Sequence, residues 1–206
     1  SRLTTLLELK RNFEGVSEGV KALLQADARP AGVRGVVADV LEVPARYLDA
    51  LEAALGEGAA FVVADDRESL LAAVELLRGV AGRATVIDAS LAAAAPPPLP
   101  GGPGVVGRTS DLVRCDERHR ALVERMLGHV VVTEDRAHAA RLSTEHPGLT
   151  FVSLDGEVWE RGRVRAGSTR SLGGLLHREM EIRELSGRLA ELRLAVEGQQ
   201  LEAQGL

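Results

Sequence analysis

Aromatic residues make up only 2% of this 206-residue sequence. Platforms that stack single-stranded nucleic acid are built from aromatic faces, so the composition argues against that mode of binding. Cysteine occurs once, at position 115, which rules out an internal disulfide and fits a reducing compartment, here expected to be the cytoplasm. No run approaches eighteen apolar residues, and the opening SRLTTLLELK has no cleavage site behind a long apolar stretch. Neither a membrane span nor a signal peptide is therefore read. Excess positive charge is missing as well: a net charge of −5 leaves DNA only a local basic patch on an acidic surface. The sequence begins without Met and stops inside the helical pattern LEAQGL, from which a segment of a longer protein is expected.

What is present is ordinary globular material, 45% apolar and 27% charged, in which Ala, Leu, Val and Gly pack helices closely on sheets. Near the end, Leu175, Ile182, Leu189 and Val196 recur every seven residues, with Leu185, Leu192 and Gln199 as a second series three places on. That spacing is a coiled-coil seam, and the alternative is an amphipathic helix packed on its own domain. At the other end Leu3, Leu6, Leu9 and Phe13 repeat at three and four residues before Gly15, so a shorter helix enters the body near where the long one leaves. The two are expected to pair antiparallel within one chain, which makes the body an insertion at the tip of a helical hairpin.

The body contains a repeat. GVVADVLEVPARYLDALEAALG (35–56) lies over GRTSDLVRCDERHRALVERMLG (107–128) at an offset of 72, with six of 22 positions identical. After a three-residue slip, VVADDR (62–67) lies over VVTEDR (131–136), each opening a helical pattern; ATVIDA then lies over LTFVSL. Short Val-rich strands alternating with helices predict an α/β fold of two pseudo-repeated subdomains. The expected divisions are an N-terminal coiled-coil start (1–14), subdomain I (15–95), a Pro/Gly connection (96–106), subdomain II (107–171) and a C-terminal coiled-coil start (172–206). AAAAPPPLPGGPG (92–104) should be an exposed connection, since proline lacks the amide donor.

Chemical motifs are sparse. GGPGVVG (101–107) matches the glycine spacing of a dinucleotide loop, which would need a strand before it and a helix after it. A small nucleotide-binding α/β protein or enzyme is thus the alternative reading. The five histidines lack metal-ligand spacing, no nucleophile elbow is present, and no cofactor or metal is expected. Cys115 reads as a small buried residue, and Asp65 and Asp66 as helix caps. In GEVWERGRVRAGSTRS (156–171), Gly162 and Gly167 interrupt a strand, which marks a bulge or the close approach of another backbone. Arg161, Arg163, Arg165, Arg170 and Arg178, with Lys10, Arg11 and Lys21, gather where the two ends meet. They form either a phosphate-binding junction or a solvated face balanced by Glu157, Glu160 and Glu179.

The assembled pattern resembles the hinge domain of bacterial structural maintenance of chromosomes (SMC) proteins. The resemblance is carried by GVRGVVADVLEVPARYLDALEAALG, FVVADDRESLLAAVELLR, GRATVID, MLGHVVVTEDRAHAARL and TFVSLDGEVWERGRVRAGS, in family order with coiled-coil starts on both sides, and it spans essentially the whole sequence. It implies a non-enzymatic toroidal homodimer at the far end of coiled-coil arms. Those arms lead to ATPase heads of a cytoplasmic, nucleoid-associated protein of chromosome condensation and segregation. Similar hinges line the dimer contact with two glycine pairs; here the matching positions are Gly162-Arg163 and Gly167-Ser168. The partner strand is expected at Ala84, Thr85, Val86 and Ile87. Weak, sequence-independent DNA binding is expected at Arg163, Arg165, Arg170, Arg178, Lys10 and Arg11, because the lysine-rich stretch of relatives is here Ser168, Thr169, Arg170, Ser171 and Leu172.

Overall fold

The computed structural model describes residues 2–167 and 174–204, with side chains to residue 200. Among them run helices α1 (Arg2–Arg11), α2 (Glu18–Gln25), α3 (Val37–Val40), α4 (Leu48–Leu55), α5 (Arg67–Leu77), α6 (Thr109–Leu112), α7 (Arg120–Leu127), α8 (Arg136–Glu145) and α9 (Leu175–Gln204). The strands are β1 (Val33–Val36), β2 (Val62–Ala64), β3 (Val86–Asp88), β4 (Val105–Arg108), β5 (Val130–Thr133), β6 (Thr150–Ser153), β7 (Val158–Glu160) and β8 (Arg163–Arg165). They form two sheets, ordered β1-β2-β3 and β4-β5-β6-β7-β8.

The repeat is visible element by element. In each unit an antiparallel pair is followed by a parallel one, β1/β2/β3 in the first and β4/β5/β6 in the second. The register slips after Val33 in one and after Val105 in the other, 72 places apart. The short strands form because Val-rich segments are buried on both faces: β2 is fully buried and so is β5, as parallel neighbours require. Asp66 and Asp135 cap α5 and α8 by accepting from the amides of Ser69 and His138, the expected device for orphan donors. Asp65 is not a cap; it pairs with Arg34 at 2.8 Å.

The two units meet about a local twofold axis that the sequence offset identifies. Glu42 and Arg114, 72 positions apart, exchange both backbone hydrogen bonds, each at 2.8 Å. At this bridge equivalent residues of the two repeats face each other antiparallel, as a local twofold relation requires. A single hydrophobic core bridges the units, from Leu23, Leu41 and Leu51 to Leu122, Leu127 and Val152, and takes in Leu176 of α9. A smaller cluster, Val131, Ala139, Leu142, Leu149 and Phe151, lies under α8. The Pro/Gly connection is largely exposed as expected, but it is pinned: buried Arg108 donates to the carbonyls of Pro97 and Gly128.

Polar contacts join the two terminal helices: Arg178 donates to the Glu14 carbonyl, Lys10 pairs with Glu179 and Arg2 with Glu181. On α9, Leu176 and Ile182 are buried, whereas Leu192 is 65% and Val196 50% exposed beyond the reach of α1. The seam residues therefore split into a part docked on the body and a part facing outward. Among the described residues no helix is long and apolar enough to cross a membrane.

Candidate interface: two bare strand edges

Gly162 does not interrupt a strand. Instead β7 and β8 are joined by the two-residue turn Arg161-Gly162, with φ of 46° and 74°. Two positive φ values in a two-residue hairpin match the right-handed twist of its strands, and glycine suits the second position. Gly167 has φ of 128°, and a Cβ there would meet nothing within 4 Å. Of the expected pair partners, Arg163 is described, while Ser168, like Thr169, Arg170, Ser171 and Leu172, lies outside the described residues.

The hairpin register decides which backbone groups are left over. Glu160 faces Arg163, Trp159 faces Val164, and Val158 faces Arg165. In a two-residue hairpin the closing pair is hydrogen-bonded and alternate pairs are not. Arg163 and Arg165 thus bond to β7, and Val164 turns its N–H and C=O away, along the bare edge of the sheet. Its side chain is 44% exposed. Val164 was not singled out from the sequence; its signal appears only once the turn position is known.

On the other sheet β3 is also an edge. Val62 donates to the Thr85 carbonyl, and Ala89 donates to that of Ala64, both at 2.8 Å. Residues 85, 87 and 89 therefore face β2, and Val86 and Asp88 turn their backbone groups outward; the Asp88 carbonyl accepts from Arg125 of α7, which leaves Val86 as the bare position. Of the four predicted positions, only Val86 presents an outward donor and acceptor. Thr85 and Ile87 are engaged with β2, and Ala84 precedes the strand. The repeat makes the bareness of β3 conspicuous, because its counterpart β6 is covered by β7.

The structure disperses the predicted basic patch. Lys10 binds Asp39 at 3.0 Å and Glu179 at 2.5 Å. Burial opposes its charge, but the bonds to Glu179 and Asp39 outweigh it and hold the ammonium above the usual lysine range. Arg178 is partly buried against Glu14, and burial pulls its guanidinium below the usual arginine range. Both cations are engaged by groups of this chain, which the sequence did not foresee. Arg11, Arg161, Arg163 and Arg165 are exposed, although Arg163 pairs with Glu160 at 3.0 Å and the Arg165 guanidinium lies against Gly56. Arg170 lies outside the described residues.

The nucleotide alternative does not fit. Residues 101–104 precede β4, Gly107 lies within that strand, and the next element is the four-residue α6. The order loop, strand, single helical turn puts no helix start where a pyrophosphate would sit. Cys115 is half-buried, not fully buried, and burial pushes its thiol up, which disfavours a reactive thiolate. Among the described residues no group of three or more His, Cys, Asp and Glu is arranged to hold a metal.

Known proteins share this architecture. The family described as the SMC proteins Flexible Hinge Domain matches residues 30–143. The chain is 36% identical to a chromosome partition protein Smc of Myxococcus xanthus over 93% of its length. It is 31% identical to that of Bacillus subtilis, again over 93%. It spans 17% of each of those relatives. A solved asymmetric dimer of the Geobacillus stearothermophilus SMC hinge domain is 30% identical, with a TM-score of 0.84, covering 97% of this chain and 84% of that one. The Pyrococcus furiosus SMC hinge domain shares the fold at 23% identity and a TM-score of 0.60, over 81% of this chain and 87% of that one. With two repeated α/β units, helices leaving side by side, and these matches across the body, the chain belongs to the family of SMC flexible hinge domains.

Proposed function

We propose that this chain is the homodimerisation hinge of an SMC protein that acts in chromosome condensation and segregation, with ATP hydrolysed by head domains outside this sequence. In the proposed dimer, β3 of each copy receives β8 of the other about a twofold axis, so that each contact occurs twice. One observation carries the reading: β3 is bare where its repeat counterpart β6 is covered by β7, and the hairpin that covers β6 itself ends in a bare strand. A bare edge invites pairing. Within one chain β3 and β8 belong to separate sheets, and in this reading the strand that closes each edge comes from a second copy. The solved relative in dimeric form supports self-association.

Light scattering in solution tests this. The expected mass at tens of micromolar is twice the 21.9 kDa of the chain; a single-chain mass would overturn the proposal. Sequence-independent DNA binding is a lesser part of it, confined to the exposed Arg11, Arg161, Arg163 and Arg165 and, by sequence alone, Arg170. Few phosphates are neutralised by so small a set, so affinity is weak and salt-sensitive.

A further inference from the structure

The two repeats share acidic residues, Asp39 with Asp111 and Glu52 with Glu124, but only the first-unit pair meets the terminal helices. Asp39 holds the amide of Val36 through Oδ2 at 2.9 Å and Lys10 of α1 through Oδ1 at 3.0 Å. Its carbonyl accepts from Arg183 of α9 at 2.5 Å. Glu52, though on α4, accepts from the backbone amide of His177 in the first turn of α9 at 3.0 Å. His177 in turn reaches back with both ring nitrogens, to Glu52 at 3.2 Å and Asp49 at 2.9 Å. Gly174 stands just before α9, and a Cβ there would collide with the Glu52 carboxylate. The absence of a side chain at 174 is what lets α4 reach the start of α9. The second-unit twins do something else: Asp111 is exposed, and Glu124 stays on its own helix end beside Gly128.

We propose that Asp39 and Glu52 are arm-positioning residues: together with Gly174 and His177 they form a polar joint that fixes the direction in which α1 and α9 leave the body. The joint acts beside the buried anchor Leu176, which attaches α9 to the core but places no directional bond on its first turn. Apolar contacts are non-directional, whereas a carboxylate bonded to a specific amide sets rotation and tilt. The inference takes α1 and α9 as arm roots, as in the proposed function, but it does not require that β3 and β8 pair.

The test uses the whole chain in a Cys115→Ser background, spin-labelled at Glu68→Cys on α5 and Arg193→Cys on α9. Labelled chain is diluted with unlabelled chain so that each label pair reports one copy. Pulsed dipolar spectroscopy should give a distance distribution that broadens in Glu52→Ala and in Gly174→Ala, with no further change when the two are combined, since both remove one contact. Glu52→Gln, which keeps an acceptor, should restore most of the narrow distribution, and Glu124→Ala should leave it unchanged. Amide exchange over residues 175–178 should rise by roughly fivefold to tenfold in Glu52→Ala. Light scattering on the same samples separates the two ideas, because the joint predicts an unaltered mass. Distributions that match the parent in Glu52→Ala and Gly174→Ala, or that broaden as much in Glu124→Ala, would overturn the assignment.

Discussion

Val164→Pro separates the free edge of β8 from its fold. Proline removes one backbone donor, and at 164 that donor points away from β7, so the hairpin keeps its bonds at Arg163 and Arg165. Within the chain the cost is limited to bending one strand residue toward the proline φ. In the proposed dimer the same change deletes an interstrand hydrogen bond at each of two symmetric seams. At about 1 kcal/mol net for each bond, the loss is about 2 kcal/mol, roughly a thirtyfold weaker dissociation constant, before any clash of the ring with the incoming strand. Sedimentation velocity over a concentration series measures that constant, and a urea titration of the same samples reports the fold. Arg163→Pro is the control in the other phase: it breaks a bond to β7 and should lower the urea midpoint. A Val164→Pro protein that is folded and dimerises as tightly as the parent would refute the reasoning.

Arg161 holds a positive φ that costs a side-chain-bearing residue about 1–2 kcal/mol. Arg161→Asn should recover about 0.5–1 kcal/mol and raise the melting temperature by a few degrees, read by calorimetry; an unchanged or lower value would show that the turn is not under this constraint. For DNA, reversing Arg163 and Arg165 to Glu should abolish retention on a low-salt DNA column, whereas Lys10→Gln, already committed to Asp39 and Glu179, should leave retention intact. Equal losses in the two variants would return Lys10 to the DNA-contact set. Amide bonds from Ser69 and His138 hold the Asp66 and Asp135 carboxyls below the usual aspartate range. The unfolded chain then binds these protons first, so the stabilisation is complete above about pH 4 and lost as pH falls through the folded-state values. Asp66→Asn with Asp135→Asn, which keeps both caps, should flatten the acid limb of stability against pH; an unchanged limb would contradict the assignment.

Much of the fold was legible in the sequence because both repeats kept the same punctuation. Gly35 and Gly107, Asp39 and Asp111, and Gly56 and Gly128 are unchanged at one offset, and buried β2 and β5 left unmistakable runs of valine. The interface was legible only in part. Asn-Gly or Asp-Gly would have announced a two-residue hairpin, but Arg161-Gly162 carries half that signal, so Gly162 read as a break inside a strand. With the turn misplaced, the outward position of Val164 could not be read, because register alternates with every residue. Lys10 and Arg178 looked like free cations since their partners are distant in sequence: Glu179 is 169 positions from Lys10. Gly174 carried no signal at all, because its reason is a carboxylate from another helix.

Seating of β8 from one copy on β3 of another is the central claim, and site-directed cross-linking reports that pairing most directly. In a Cys115→Ser background, chains carrying Val86→Cys are mixed with chains carrying Val164→Cys, allowed to exchange, and treated with a short bis-maleimide. The mixture should yield a covalent dimer containing one chain of each kind, while either variant alone stays uncross-linked. No product in the mixture, or equal product from one variant alone, would contradict the pairing.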